Sequence, residues 1–91
     1  MAYRIVVLPS AETDLEKLDP DVRRRILRRV VWLGENASQV VHHQLANMPE
    51  DLAGLCRLRV GNYRILYWLL RQQEALKVYR IQHRSEVYRH L

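Results

Sequence analysis

Residues Leu55–Tyr67 read Leu-Cys-Arg-Leu-Arg-Val-Gly-Asn-Tyr-Arg-Ile-Leu-Tyr, two apolar-rich runs on either side of Gly61-Asn62. Glycine and asparagine tolerate the positive φ values that tight hairpin turns need, so this segment predicts two antiparallel strands joined by a two-residue turn. With that turn, Arg59 lies opposite Arg64. The neighbouring pairs are then Val60 with Tyr63 and Arg57 with Leu66.

One face of the predicted hairpin is rich in arginine. Side chains alternate along a strand and paired residues point to the same side, so Arg57, Arg59 and Arg64 share a face. The other face takes Cys56, Leu58 and Ile65. Because like charges directly opposite one another destabilise a sheet, we expect an anion to bind on the arginine face.

The composition indicates a small basic domain. The 91 residues suit a single domain, 1–91, and the 48% that are hydrophobic suffice for a modest core. The net charge is +5, and of the 15 lysines and arginines only Lys17 and Lys77 are lysine. The planar fork of arginine suits phosphates and carboxylates, which favours a nucleic acid or an acidic protein as partner. A GC-rich genome is the alternative source of the arginine bias.

Several classes of protein are disfavoured by what the sequence lacks. Cys56 is the single cysteine, so no disulfide can form within the chain. No signal segment opens the chain, and no apolar run approaches the length of a membrane span, so we expect a cytoplasmic protein with no membrane partner. His42 and His43 are adjacent, but a metal site needs three or four converging ligands, so we predict neither a metal nor a cofactor.

The predicted elements follow the order strand, two helices, three strands. The first strand is expected in the sheet interior, because apolar residues point to both of its sides. Ser10 is expected to cap the first helix, and Asp19-Pro20 to begin the second. The predicted helices are Ala11–Leu18 and a second helix that begins at residue 20 and ends between residues 34 and 36. Besides the hairpin strand before Gly61, the predicted strands are Tyr3–Leu8, Tyr63–Leu70 as the central strand, and Leu76–Ile81. The pattern predicts an α+β fold: a small, mostly antiparallel sheet with a helical hairpin packed on one face.

The tail supplies a second group of chemically capable side chains, His83, Arg84 and Tyr88. A last strand antiparallel to the Arg64 strand would bring this group close to the hairpin. Together the two groups suit RNA cleavage by the RNA's own 2′-hydroxyl, which needs a base, an acid, and cations for the transition state. Histidine serves as acid or base near neutral pH, arginine holds phosphate bidentately, and no metal is required.

Three segments carry a resemblance to a known family. Leu52–Tyr67 resembles the Leu-x-Gly-Leu-x-Arg-Leu-Arg-x-Gly-x-Tyr-Arg-x-x-Tyr segment of the RelE/ParE toxin superfamily. His83–Tyr88 looks like the His-Arg-x-x-Val-Tyr ending of its RelE branch, and Leu8–Ala11 resembles the family's opening. Each motif is short, but together, in this order, they span nearly the whole chain.

The resemblance implies a toxin of a type II toxin–antitoxin pair. RelE members are ribosome-dependent endoribonucleases that cleave mRNA in the A site without metal, by 2′-hydroxyl attack, and so inhibit translation. The implied partners are the 70S ribosome with its mRNA and an acidic antitoxin that wraps the toxin. The toxin–antitoxin hetero-oligomer would bind operator DNA only through the antitoxin.

Roles within the site carry over by position. Arg64 matches the family's phosphate-stabilising arginine, and Arg57 matches a basic residue on the preceding strand. Arg84 matches a basic residue of the tail, and Tyr88 matches the tyrosine that orients the 2′-hydroxyl or aids proton transfer. Leu55 and Arg57 stand where some members carry a lysine pair, and Gln82 stands where a further basic residue precedes the tail. The general base is therefore left open, with His83 as a hypothesis for the missing acid or base.

The second helix carries five arginines away from its apolar stripe. They form either a solvated face or a patch for a polyanion or an acidic peptide. The helix residues in question are Arg23, Arg24, Arg25, Arg28 and Arg29. For a ribosome-directed toxin we expect RNA or ribosome contacts at Arg59, Arg23, Arg24 and Arg28.

Two other functions share the expected fold. A ParE-like toxin would act on DNA gyrase and need no ribonuclease residues. A degenerate module would retain only antitoxin binding. The tail discriminates between these alternatives and the nuclease, because ParE members commonly lack the set formed by His83, Arg84 and Tyr88.

Overall fold

The computed structural model describes residues 2–87, which form a five-stranded sheet with a helical hairpin on one face. The strands are ordered β1-β5-β4-β3-β2, with β1 parallel to β5 and every other pair antiparallel. The elements are β1 (Arg4–Val7), α1 (Pro9–Glu16), α2 (Pro20–Glu35), β2 (His43–Gln44), β3 (Cys56–Val60), β4 (Tyr63–Leu70), β5 (Ala75–His83) and α3 (Arg84–Val87), with short 3-10 turns at Glu50–Leu52 and Arg71–Gln73. The predicted α+β class is confirmed, and β4 is the central strand as predicted.

The β3–β4 hairpin has the predicted register. Arg59 pairs with Arg64 and Val60 with Tyr63 across the turn. Gly61 has a φ of +58°, a conformation that glycine adopts without steric cost. The arginines therefore share one face of the hairpin, while its other face packs into the core.

The core lies between the helical hairpin and the inner face of the sheet. From α2 it takes the buried stripe of Ile26, Val30 and Leu33, which recur at helical spacing. From the sheet it takes Cys56, Val60, Ile65, Tyr67, Leu76, Val78 and Ile81. This packing decides which face of the sheet is left for function.

His42 is a structural partner of the buried Tyr67. Its Nε2 donates to the carbonyl oxygen of Ala37 (2.7 Å), which leaves Nδ1 to accept from the Tyr67 hydroxyl (2.7 Å). Burial raises the pKa of Tyr67 well above its usual range, and the nearby Cys56 adds to the effect. The hydrogen bond therefore satisfies a phenol that stays protonated inside the core.

Beyond the end of β1, side chains of helix α1 bind the backbone at the edge of β5. Ser10 Oγ donates to the carbonyl of Tyr79 (2.6 Å), and one turn later Asp14 Oδ2 accepts from the Ile81 amide (2.9 Å). Four helical residues rise about 6.0 Å and two strand residues about 6.6 Å, so the two spacings match. Asp14 also forms an ion pair with Arg80, 2.8 Å from Nε. These contacts hold β5 in place almost to its end.

Three expectations about this framework are corrected. β1 is an edge strand rather than an interior one, since β5 alone pairs with it among residues 2–87. The half-buried Ile5 is covered by α2, where Gly34 lies against it. Ser10 does not cap α1, because the helix begins at Pro9 and the Ser10 hydroxyl donates to the carbonyl of Tyr79. The two-residue β2 adds a fifth strand; both its residues are exposed, so they show no apolar pattern that would predict a strand.

Candidate active site

A basic depression of about 210 Å³ lies at the tip of the β3–β4 hairpin. Its described lining consists of Arg59, Gly61, Asn62, Tyr63, Arg64 and Arg84. Three of these six residues are arginines and none is acidic, so the depression has a strongly positive potential. Its charge and size suit a phosphate group.

The hairpin and the end of β5 together position the three arginines. Arg59 and Arg64 are a cross-strand pair, so their side chains leave the sheet on the same side. The amide of Arg84 donates to the carbonyl of Asn62 (2.8 Å), which ties the start of α3 to the hairpin turn. The predicted approach of the tail to the hairpin is thus present for Arg84.

Arg64 and Arg59 differ in their surroundings. The residue Arg64 is 7% exposed, whereas Arg59 is exposed at the rim. A guanidinium remains charged at any physiological pH, and an anion near a buried charge is screened less by water. Packing also limits the conformations open to Arg64. It is therefore the better preorganised of the two for holding a phosphate.

Arg57 lies on the same face but outside the depression. It is half-buried on β3, opposite Leu66 on β4 and His43 on β2. It follows that Arg57 extends the positive face along β3, away from the hairpin tip.

His83 lies on the other face of the sheet. It pairs with Tyr63, the ring centroids are 5.3 Å apart in an edge-to-face arrangement, and Gln82 is the residue opposite Arg64. His83 lines a separate depression of about 400 Å³ beside α1. Its Nδ1 accepts from the Ser85 amide (3.3 Å). Strand alternation therefore separates His83 from the arginines, and the expected meeting of the two groups holds for Arg84 alone among the described residues. Tyr88 lies outside the described residues.

The α2 arginines for which the sequence predicted RNA or ribosome contacts, Arg23, Arg24 and Arg28, are not part of the described lining of the basic depression. Arg23 donates to the carbonyls of Leu15 and Leu18 (both 3.0 Å), which closes the C-terminal end of α1. Its guanidinium therefore has a structural use. Arg24 pairs with Asp21, and together with Arg28 it lies on the outer side of α2.

Arg25 reaches the hairpin instead, which the sequence analysis missed. A Cβ at Gly61 would lie 2.5 Å from Arg25 Nη2, so the guanidinium is against the turn. Arg25 lines a third depression, of about 220 Å³, with Asn62 and Tyr63. The sequence feature that could have predicted this contact is the position of Arg25 next to Ile26, at the border of the apolar stripe of α2.

Residues 2–87 contain no group of three or more histidine, cysteine or acidic side chains that could hold a metal ion. No helix within that range is long and apolar enough to cross a bilayer. Cys56 is buried on the core face of β3, and desolvation raises the pKa of its thiol.

Comparison with known proteins gives consistent matches over nearly the whole chain. A family model described as the ParE toxin of the type II toxin–antitoxin system parDE matches residues 5–88. Toxin RelG of Mycobacterium tuberculosis is 31% identical over 90 residues, covering 98% of this chain and 99% of RelG. The M. tuberculosis RelBE2 toxin–antitoxin complex matches with a TM-score of 0.77 and 26% identity, over 93% of this chain and 94% of the matched chain. A mutant of E. coli RelE in the free state shares the fold, with a TM-score of 0.74 and 22% identity over 98% and 93% of the two chains.

Proposed function

This chain belongs to the RelE/ParE superfamily of toxins from type II toxin–antitoxin systems, and we propose that it is a ribosome-dependent endoribonuclease. The proposed reaction is metal-independent cleavage of mRNA in the ribosomal A site, which inhibits translation. Residues 1–91 would act as one RelE-like domain in the cytoplasm. The proposed partners are the 70S ribosome, its mRNA and an acidic antitoxin.

The basic depression carries the proposal. In 2′-hydroxyl attack, the 2′-oxygen forms a bond to phosphorus while the bond to the 5′-oxygen of the next nucleotide breaks. The hydroxyl proton passes to a base, the leaving 5′-oxygen receives a proton from an acid, and negative charge builds up on the phosphate oxygens. Arg64 and Arg84 line a depression of phosphate size and would stabilise that charge. Arg57 and Arg59 would hold the adjacent backbone.

Proton transfer is the part that depends on the tail. We propose Tyr88 as the group that orients the attacking hydroxyl or takes part in proton transfer, by its match to the family motif. His83 contacts the Tyr63 ring but lines the depression beside α1 rather than the one that holds the arginines. We therefore rank His83 below Tyr88 for this role.

An antitoxin is the proposed protein partner. The M. tuberculosis structure that matches this fold is a toxin–antitoxin complex. A net charge of +5 on this chain favours an acidic partner. The hetero-oligomer would contact operator DNA through the antitoxin.

Inhibition of DNA gyrase is the second candidate function. It is favoured by the description of the family model, which names ParE toxins. A degenerate module that only binds antitoxin is the third. Both would leave mRNA uncut.

The test is induced expression with mapping of mRNA 5′ ends and a parallel gyrase supercoiling assay. The proposal expects cuts at codon positions, confined to translated messages. Intact mRNA with inhibited supercoiling would establish the second candidate, and intact mRNA with normal supercoiling the third.

Arg64→Ala and its control sharpen the test. Loss of one electrostatic contact to the transition state should lower the cleavage rate by about a hundredfold or more. Arg71→Ala removes an exposed arginine beyond the far end of β4 and should cleave as the wild type does. Tyr88→Phe should abolish cleavage in a folded protein. Full activity in both Arg64→Ala and Tyr88→Phe would refute the site.

A further inference from the structure

The depression between the first turns of α2 and the hairpin turn, here called the α2 depression, differs in chemistry from the basic depression. Its volume is about 220 Å³, and Val22, Ile26 and Val60 give it an aliphatic floor. Its exposed rim carries Arg25 and Asn62. A phosphate would lie there against aliphatic groups that cannot solvate its charge, whereas a flat organic ring would be covered by them. The α2 depression therefore suits a planar group with a polar edge.

Arg25 places a guanidinium at the rim of this depression. A Cβ at Gly61 would lie 2.5 Å from Arg25 Nη2 and 3.6 Å from Cζ, so the planar group is against the turn. The next residue of α2, Ile26, is fully buried, which fixes the backbone that carries Arg25. A guanidinium plane stacks on nucleobases, and the amide of Asn62 offers both a donor and an acceptor. The rim thus has the two groups with which proteins bind an unpaired base.

The α2 depression and the basic depression meet at the hairpin turn. Gly61, Asn62 and Tyr63 line both of them, and Gly61 has no side chain that would separate them. Arg64 and Arg84 lie in the basic depression, on the other side of the turn. An RNA strand that places a phosphate between these two arginines and passes over the turn would therefore bring a neighbouring base to the α2 depression.

We propose that the α2 depression binds the base of one of the two nucleotides joined by the scissile phosphate. The base would stack on the guanidinium of Arg25 over the aliphatic floor, and the amide of Asn62 would hydrogen-bond to its edge. Because the four bases differ in the donors and acceptors of that edge, these contacts would give cleavage a base preference. The inference rests on the proposed function, since that reaction supplies the RNA.

The test measures ribosome-dependent cleavage of messages that vary the two bases flanking the cut. Arg25→Ala should lower kcat/KM for the preferred base by about tenfold or more, and it should reduce the preference at one of the two positions to about twofold or less. Asn62→Ala should reduce the same preference. Arg25→Lys keeps the charge but loses the planar group, so it should resemble Arg25→Ala.

Arg29→Ala is the matched control. Arg29 lies one turn further along α2, its guanidinium is 4.4 Å from the centroid of the Trp32 ring, and it is not part of the described lining of the α2 depression. Its removal changes the net charge as much as removal of Arg25 does. Arg29→Ala should keep the base preference, with kcat/KM within about threefold of the wild type. Thermal melting establishes that each variant is folded.

Nuclear magnetic resonance gives a readout that needs no cleavage. The full-length toxin is titrated with a 2′-O-methyl dinucleotide, which lacks the attacking hydroxyl, and with the two analogues that each lack one base. The signals of the Arg25 Nε–H and of the Asn62 side-chain amide should shift with the intact compound, and one of the two abasic analogues should abolish the shifts. If the wild type leaves mRNA uncut but shows these shifts, the proposed reaction is wrong and the base site stands.

Four results would overturn the inference. An unchanged base preference in folded Arg25→Ala and Asn62→Ala would leave Arg25 as a packing partner of the turn. Full activity and preference in Arg25→Lys would make Arg25 a phosphate contact. Weaker antitoxin binding by Arg25→Ala, with the base preference intact, would assign the α2 depression to a side chain of the antitoxin. Equal shifts with the intact dinucleotide and both abasic analogues would show that no base is bound.

Discussion

Asp14 joins α1 to β5 and is the most informative single side chain to remove. Its carboxylate accepts from Arg80 Nε (2.8 Å), Arg80 Nη2 (3.2 Å) and the Ile81 amide (2.9 Å). The Asp14 side chain is 13% exposed and that of Arg80 is 36% exposed, so solvent screens the ion pair in part. The hydrogen bond to Arg80 is the main reason that the pKa of Arg80 is raised.

Asp14→Ala should lower the free energy of unfolding by about 2–4 kcal/mol. A hydrogen bond to a charged group contributes about 1.5–3 kcal/mol, and a buried amide without an acceptor costs about 1–3 kcal/mol. These effects overlap, and screening reduces the Arg80 contribution, which gives the total of about 2–4 kcal/mol. Asp14→Asn retains an acceptor for the Ile81 amide and should lose only about 1–2 kcal/mol.

Urea denaturation measures these differences, provided that the dependence of the unfolding free energy on urea concentration is the same for all variants. The melting temperature of Asp14→Ala should fall by roughly 10–30 °C for a domain of this size. Asp21→Ala is the control, because the exposed Asp21–Arg24 pair and its position in the first turn of α2 are together worth about 1 kcal/mol or less. If Asp14→Ala lost no more stability than Asp21→Ala, the reasoning about the β5 edge would be wrong.

Three further substitutions and treatments test other parts of the structure. Arg23→Ala should lower the free energy of unfolding by about 1–3 kcal/mol, because two carbonyls at the end of α1 lose their donors. Cleavage per folded molecule should be unchanged. Loss of cleavage at full stability would instead support an RNA-binding role for Arg23. Gly34→Ala would stabilise an exposed helix by about 1 kcal/mol, but here it should destabilise by about 1–3 kcal/mol. The reason is that its Cβ would lie 2.6 Å from Ile5 Cδ1 and 3.2 Å from the Tyr3 carbonyl oxygen, and a more stable variant would contradict this packing. Cys56 should react with iodoacetamide at least about a hundredfold faster in urea than in the native protein at pH 8, and equal rates would show that the thiol is accessible. Because burial raises the pKa of Cys56 above its reference value of 9.0, its contribution to stability is complete below that pH and declines as the pH rises through the native pKa. Urea titrations between pH 7 and pH 10 measure this decline, which Cys56→Ala should reduce.

The sequence by itself determined the features whose information is local. Gly61-Asn62 set the β3–β4 register, because a two-residue turn leaves one way to pair the strands. Asp19-Pro20 and the 3.6-residue period of Ile26, Val30 and Leu33 located α2 within a residue or two. The pairing of Arg59 with Arg64 at the candidate site follows from this register, and the shared arginine face follows from the alternation of side chains along each strand.

Only the tertiary structure decided the features that depend on distant residues. The parallel pairing of β1 with β5, which makes β1 an edge strand, joins segments about 70 residues apart and has no local signal. The register of β5 against β4 places His83 beside Tyr63 and leaves Gln82 opposite Arg64. The α2 arginines look alike in sequence, yet Arg23 binds α1 and Arg25 meets the hairpin, whereas Arg24 and Arg28 border an apolar surface. Their roles differ because a side chain's function is set by what packs beside it, which no local pattern specifies.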